Sequence, residues 1–181
     1  MSKPNMDEKI LAKYITWALN HDIDDAKKID PSSVITAPWV RMKCQYGCTG
    51  FGQRLCCPPF SPTFEETRKI LDSYSILLLL HSHRIPGDKK GMKKFNATIV
   101  DLEFQAFLDG YYKAWSMGCG PCQLCEKCDP KEACVNGKRA RPSMEACGID
   151  VYQTARDSEM PIQVARTRES GWDMYGLVML T

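Results

Sequence analysis

Apolar and polar positions along the chain follow the spacing of helices and strands in several places. Residues 7–19 carry apolar side chains at helical intervals, which predicts an amphipathic helix. A second helix is predicted from Thr63 to about Leu71, because Thr63 and Glu66 have the spacing of a capping box. Residues 75–83 form an apolar run with polar ends, which is typical of a strand buried on both faces.

The remaining pattern completes a mixed fold. A β-branched run at 32–36 predicts a strand, and apolar residues at three- and four-residue steps over 95–117 predict a long helix that leads directly to Cys119. Another helix is predicted at 143–156, and runs at 162–165 and 174–180 predict a terminal hairpin. We therefore expect a single α/β domain over residues 1–181, with α+β as the alternative, in which helices pack on a small sheet. Two cysteine-rich loops are inserted at about 41–62 and 117–142.

Composition and charge narrow the class of protein. The 181 residues are 44% hydrophobic and 25% charged, which is ordinary for a globular chain. A net charge of +2 is too even to indicate a nucleic-acid or membrane-surface protein, and no apolar run is long enough to cross a bilayer. A charged start where a signal peptide would be apolar predicts a cytoplasmic location. In that reducing compartment, ten cysteines predict metal ligands or redox groups rather than disulfides.

The second cysteine segment has the spacing of an iron–sulfur site. Cys122, Cys125 and Cys128 stand at two-residue intervals, and each iron corner of a cubane takes one such sulfur. Zinc sites usually pair two C-x2-C knuckles across a longer loop, so the spacing favours a cluster and leaves zinc as the alternative. Cys134 completes the predicted quartet, and Cys119 is a neighbour that could serve elsewhere.

The first cysteine segment predicts a second site that lacks one ligand. Adjacent Cys56 and Cys57 cannot easily both face one small centre, so Cys57 is assigned together with Cys44 and Cys48. The fourth position is open to Cys56, Cys119 or Cys147, or to no protein ligand at all. An open iron would indicate substrate chemistry, whereas a fourth thiolate would indicate electron transfer. The default interpretation of Cys147 is a small packed hydrophobe.

Histidine and basic residues add weaker signals. His81 and His83 share one face near a strand end, where core or surface packing is the simpler interpretation than metal binding. Basic residues after the second segment would raise the reduction potential of an iron–sulfur cluster. Groups of basic residues could also bind an acidic partner protein. For both, a solvated run of charges is the simpler interpretation. These basic residues are Lys89, Lys90, Lys93, Lys94, Lys138, Arg139 and Arg141.

These motifs resemble a known family. Cys44-x3-Cys48, Cys57-Pro-Pro, Cys122-x2-Cys125-x2-Cys128 and the segment 141–150 are together similar to a prokaryotic family of cysteine-rich "predicted metal-binding proteins" of unknown function. The resemblance runs from about residue 30 to the C-terminus. It implies a cytosolic iron–sulfur protein of anaerobes and archaea. The positions that fall on the family pattern are Cys44, Cys48, Cys57, Cys122, Cys125, Cys128 and Cys134, whereas Cys56, Cys119 and Cys147 are less fixed.

The function predicted from these observations is electron transfer, or electron delivery by an accessory subunit in anaerobic metabolism. Two [4Fe–4S] clusters would be the cofactors and a redox protein the partner. The chain lacks a Gly-rich phosphate loop or a dinucleotide fingerprint. The first alternative is an enzyme or accessory factor with an open iron site or a reactive Cys147. The second is a zinc-binding structural or adaptor module. Oligomeric state and catalytic activity are left unassigned.

Overall fold

A four-stranded antiparallel sheet lies between two layers of helices. The computed structural model describes residues 6, 8–88, 90–167 and 169–181, so Asp7 and Lys89 lie outside the described residues. In chain order the elements are α1 (Glu8–Leu19), β1 (Asp25–Ile29), α2 (Pro38–Gly47), α3 (Phe64–Leu71), β2 (Leu77–Arg84), α4 (Gly91–Leu108), β3 (Trp115–Met117), α5 (Val151–Asp157) and β4 (Trp172–Met179). Short 3₁₀ helices occupy Pro31–Ser33 and Glu145–Cys147.

The sheet is buried on both faces, which explains the continuous apolar run of β2. The strand order is β1-β2-β4-β3, and the central pair aligns Leu77 with Met179 and Arg84 with Trp172. Because alternate side chains point to opposite faces, Leu78 and Leu80 pack with α1 and α4, while Leu77 and Leu79 pack with α3 and α5. The predicted α/β class is confirmed, and the strands are antiparallel.

Several local predictions are confirmed and one element was missed. The capping box of α3 is present, with the Thr63 hydroxyl accepting from Glu66 N–H at 3.2 Å and the Glu66 carboxylate accepting from Thr63 N–H at 2.7 Å. Strand β1 was missed because its sequence is Asp-Ala-Lys-Lys-Ile, and polar residues are common on a strand at the edge of a sheet.

Two predictions in the first and middle parts of the chain are wrong. Residues 32–36 form no strand. Pro31 begins a 3₁₀ helix capped by Asp30, and Thr36 makes only an isolated bridge to Ile149. The helix predicted over 95–117 ends at Leu108, because Gly110 adopts a left-handed conformation with φ +99°. Residues 115–117 instead form β3 at the edge of the sheet.

Two predictions near the C-terminus are also wrong. The helix predicted over 143–156 is broken by Gly148, whose φ is +76°, and α5 starts only after Asp150, which accepts a hydrogen bond from Gln153 N–H. The terminal hairpin does not form, because residues 162–165 are irregular and β4 pairs with β2 and β3 instead.

The cysteine-rich loops differ in one respect from their predicted extents of 41–62 and 117–142. Helix α2 reaches Gly47, so Cys44 lies on a helix and only the part after it is a loop. Residues 119–142 contain no helix or strand, as expected. The single-domain assignment stays a prediction. Within the described part of the chain, no helix is long and apolar enough to cross a membrane.

Candidate metal centre

Eight of the cysteines fall into two neighbouring groups of free thiols. The first group, Cys44, Cys48 and Cys57, lines a cavity of about 110 Å³. The second group lines a much smaller space of about 10 Å³ and consists of Cys56, Cys122, Cys125, Cys128 and Cys134. No disulfide links any of the ten cysteines. The predicted site residues are therefore brought together in the two sets that the sequence suggested, with Cys56 added to the second.

The end of α2 positions the first group. Cys44 lies in the last turn of this helix and Cys48 follows as its C-terminal cap, so a four-residue step brings both towards one side. Gly50 N–H donates to Cys48 Sγ at 3.4 Å. A Cβ at Gly50 would lie 3.4 Å from Cys57 Sγ and 3.5 Å from Cys48 Sγ. The backbone of Gly50 therefore lies directly beside both sulfurs.

Arg41 fixes the segments that carry this group. Its Nη1 donates to the carbonyl oxygens of Pro62 at 2.7 Å, Ser61 at 3.2 Å and Ala146 at 3.4 Å. The Ser61 hydroxyl also donates to Ala146 O at 2.6 Å. Helix α2, the end of the first cysteine loop and the 3₁₀ helix Glu145–Cys147 are thereby held together.

The second group lies mostly on a loop whose two ends meet. Gly118 N–H donates to Pro142 O and Met144 N–H donates to Gly118 O, both at 2.9 Å, so the loop begins and ends beside the same edge strand. Within it, the Asn136 amide donates to Cys125 Sγ at 2.9 Å. Hydrogen bonds of this kind stabilise sulfur as a thiolate and tune metal sites.

Adjacent Cys56 and Cys57 belong to different groups. Cys57 faces the first cavity, whereas Cys56 forms a hydrogen bond with Cys122 in the second group. One peptide bond therefore joins the two sites, and consecutive Cα atoms are only about 3.8 Å apart. The sequence favoured Cys57 for the first site and left Cys56 open as its fourth ligand, whereas here Cys56 lies with the second group.

Burial keeps several of these sulfurs protonated in the metal-free chain. Desolvation raises the pKa of Cys57 to about 11 and also raises the pKa of Cys44. In the Cys56–Cys122 pair, the Cys56 thiol donates to Cys122, so the pKa of Cys122 falls and that of Cys56 rises. The positive charge of Arg54 acts to lower the pKa of both Cys57 and Cys122, but at Cys57 the effect of burial is larger. Thiols of this kind become ligands by releasing protons when a metal binds.

Cys119 and Cys147 are packed in the two hydrophobic cores. Cys119 lies in the core beneath α1 and α4, and its backbone N–H and C=O both bond to the Asn96 amide at 2.9 Å. Cys147 is fully buried in the opposite core, and burial raises its pKa to about 12. Neither sulfur lines the cavity of either thiol group.

The two histidines share a carboxylate across the sheet. His81 Nε2 and His83 Nδ1 each lie 3.0 Å from Asp173 Oδ1. Burial acts to raise the pKa of Asp173, but hydrogen bonds from both histidines and from Gln163 N–H together lower it below its ordinary value. These contacts account for the histidines as structural residues of the sheet.

The basic residues after the second segment are largely neutralised within the chain. The Arg141 side chain is only 7% exposed and forms a bidentate pair with Glu103, at 2.8 and 2.5 Å, against the Trp115 ring. Arg139 pairs with Asp101 at 2.8 Å. Lys94 from the earlier lysine run likewise pairs with Asp22 at 2.6 Å.

Sequence reasoning missed three residues that the structure brings to the thiols. Arg54 and Asn136 line the second space, and Glu145 lines the first cavity. Two of them had a modest signal: Arg54 is the only charge between Cys48 and Cys57, and Glu145 is an acidic residue within the otherwise apolar run 144–149. Asn136 had none, because its role depends on how the loop folds.

The donor chemistry fits a soft, thiophilic metal. Thiolate sulfurs with backbone and amide donors beside them are typical ligands of zinc, copper and iron–sulfur clusters. Among the residues that the structure describes, no three Cys, His, Asp or Glu side chains converge closely enough to hold one metal ion. A tetrahedral zinc requires sulfurs about 2.3 Å from a common point. The thiols of each group line a cavity, and their sulfurs do not converge on one position at that distance.

Fold and site together define an α/β protein whose thiols form two groups on two cysteine-rich loops. The chain belongs to the family described as "Predicted metal-binding protein (DUF2284)", whose model matches residues 27–180. This match confirms the family resemblance indicated by the cysteine motifs. No curated protein and no solved structure matches the sequence.

Proposed function

We propose that this chain is an iron–sulfur protein that carries two [4Fe–4S] clusters and transfers electrons, alone or as an accessory subunit. The observation that carries the proposal is the division of eight free thiols into two adjoining groups that meet at the Cys56–Cys57 peptide. When bound, the clusters would supply one-electron redox chemistry. Thiolate ligands persist in reducing compartments, so the proposal includes the cytoplasm of an anaerobic cell.

The first group supports a polynuclear centre. A cavity of about 110 Å³ has room for several atoms, since one water-sized probe takes about 10–15 Å³. Cys44, Cys48 and Cys57 would hold the cluster there, and Gly50 N–H would bond to a ligand sulfur. In the second group, Cys122, Cys125, Cys128 and Cys134 remain the proposed quartet. Cys56 contacts Cys122 and is the competing ligand.

The arrangement of charge and exposure supports electron transfer. Arg54 lies beside both thiol groups, where its charge would offset the negative charge of a reduced cluster. Cys134 and Val135 are exposed at the surface of the second loop. We place the contact with a redox partner protein there, because the solvent-facing edge of the second group offers the most direct approach.

A specific observation favours zinc as a second candidate for the second group. Its thiols enclose only about 10 Å³, which is room for about one atom. A cluster would require these sulfurs to move apart. Residues 119–142 contain no helix or strand, so the loop can open without breaking the sheet. Zinc here would make the second loop a structural module beside a single cluster.

Anaerobic metal analysis of matched variants tests the proposal. Wild-type protein is expected to be brown and to contain iron and acid-labile sulfide. Cys125→Ser and Cys48→Ser should each lose about half of the iron, because they remove ligands from different centres. Cys119→Ala is the matched control, since this thiol is packed in the core, and it should retain all the iron.

The outcomes separate the candidates. A protein with neither iron nor labile sulfide overturns the iron–sulfur proposal. Stoichiometric zinc that disappears only in Cys125→Ser, together with iron that disappears only in Cys48→Ser, assigns zinc to the second group. Full retention of iron in Cys125→Ser contradicts the assignment of that residue.

A further inference from the structure

The first thiol group has a fourth donor that is not a cysteine. Glu145 lines the same cavity as Cys44, Cys48 and Cys57, and it lies at the start of the 3₁₀ helix that Arg41 and Ser61 tie to the first loop. None of the other thiols left open as a fourth ligand reaches this cavity. Cys56 belongs to the second group, and Cys119 and Cys147 are buried in the cores.

One oxygen of Glu145 is left without a partner. Its Oε2 is buried and makes no hydrogen bond among the described residues, although the Ser143 side chain and the Gly120 backbone bond to the carboxyl group. An unpartnered buried carboxylate oxygen is costly, so a positive group in the adjoining cavity would be favoured there. A metal in the adjoining cavity would provide that group.

We propose that Glu145 is the fourth ligand of the first centre, completing a set of three thiolates and one carboxylate around the cavity. This inference rests on the proposed function. A carboxylate is a harder ligand than a thiolate and suits the irons of a sulfide cluster less well, so the iron that it would hold is the exchangeable one. Glu145 also lines a second cavity of about 260 Å³ between α2, α5 and β4, so a small molecule could reach that iron.

The backbone of Glu145 is held in place by the turn that follows it. Gly148 terminates the 3₁₀ helix in a left-handed conformation, and its N–H donates to Glu145 O at 2.9 Å. A Cβ at Gly148 would lie 2.7 Å from Phe64 Cβ, so the turn is packed against α3 and fixes the backbone of Glu145. The side chain is thus presented from a rigid turn.

Three variants of the full chain, purified without oxygen, test the proposal. Glu145→Gln keeps the hydrogen-bonding shape but is a poor ligand, whereas Glu145→Cys supplies a thiolate. Asp150→Asn is the control, because Asp150 lines the 260 Å³ cavity but caps α5, a role that Asn also fills. The readout is the electron paramagnetic resonance signal of the three-iron form that appears when ferricyanide oxidation releases one iron.

We expect a several-fold larger three-iron signal in Glu145→Gln than in wild type, a smaller one in Glu145→Cys, and no change in Asp150→Asn. Cyanide should alter the reduced spectrum of wild type and leave that of Glu145→Cys unchanged. A purely structural role predicts the opposite order, with Gln resembling wild type and Cys the more damaged variant. That order, or equal signals in all four proteins, would overturn the inference.

Failure of the proposed function gives a different result. If wild type contains no iron, every variant is silent and the iron–sulfur proposal itself falls. If wild type contains iron but the variants follow the structural order, the clusters stand and only the role of Glu145 is lost. The iron content of each variant confirms that the second centre, which Glu145 does not contact, is still present.

Discussion

At the scale of single residues, the hydrogen bond from the Asn136 amide acts directly on a sulfur of the second thiol group, that of Cys125. The amide nitrogen lies 2.9 Å from the sulfur. A donor at this distance stabilises negative charge on sulfur and orients the side chain for metal binding.

Replacing Asn136 with alanine should weaken metal binding at the second group by about 10- to 100-fold, the usual cost of removing an outer hydrogen bond. Under the proposed function, it should also lower the reduction potential of a cluster bound there, because a donor to sulfur favours the reduced state. Competition with a chelator and redox titration measure the two effects.

Gln123→Ala is the matched control for this change. Gln123 belongs to the same loop, but its amide contacts the thioether of Met92, at 3.6 Å, and no cysteine sulfur. Equal effects of the two substitutions would show that the loop simply loses order, and would remove Asn136 from the account of the metal centre.

At the scale of elements, the Glu103–Arg141 pair fastens the end of the second loop to α4. Both side chains are 7% exposed, the Ser116 hydroxyl donates to Glu103 at 2.6 Å, and the guanidinium covers the Trp115 ring. The pair thus connects α4, the edge strand β3 and the point where the loop returns to the sheet.

Glu103→Ala should reduce the free energy of unfolding by about 3–5 kcal/mol, because it leaves the Arg141 charge buried without a partner. Urea unfolding of the full chain measures the change. The double substitution Glu103→Ala with Arg141→Met should be less destabilising than Glu103→Ala alone. If the double variant is the less stable of the two, the pair contributes more than the penalty of an orphaned charge.

Sequence reasoning predicted elements well where the signal was local. The capping box of α3 and the apolar run of β2 each depend on neighbouring residues, and both elements are present. It failed where distant contacts decide. Residues 115–117 continue a helical pattern but join the sheet, because β4 offers a free edge and Gly110 ends the helix. The same holds for β1: its two lysines do not predict a strand, and the strand forms because β2 lies beside it.

The sequence predicted which cysteines belong to the site, but not which other residues lie beside them in space. The spacing of Cys122, Cys125 and Cys128 placed them on one loop, whereas the adjacency of Cys56 and Cys57 did not decide which group Cys56 would join. Arg54 and Glu145 carry no spacing rule, because their positions depend on how two loops and a 3₁₀ helix meet. Tertiary packing supplies that information.

At the scale of the whole molecule, different interactions stabilise the sheet and the thiol loops. Strands β2 and β4 are buried between two apolar cores, whereas residues 119–142 depend on turns and on their two closed ends. Under the proposed function, bound clusters would add the stability that these loops lack.

Removing the metal should therefore loosen the loops and spare the sheet. After anaerobic chelation, amides in 48–62 and 119–142 should exchange with solvent at least about tenfold faster, while those of β2 and β4 change little. Hydrogen exchange measured by mass spectrometry, with reconstituted protein as the control, tests this. Uniform acceleration across the chain would mean that the metal supports the whole fold.

The closed ends of the second loop have a consequence for how this architecture can vary. Gly118 and Ser143 form a bridge, so the chain leaves the sheet and returns to it at one place. The loop still touches the rest of the molecule, through the Cys56–Cys122 contact and the Arg141–Glu103 pair, but a change in its length need not shift the strands. Insertions or deletions in this segment would then change the spacing of its thiols while the register of β3 against β4 stays the same.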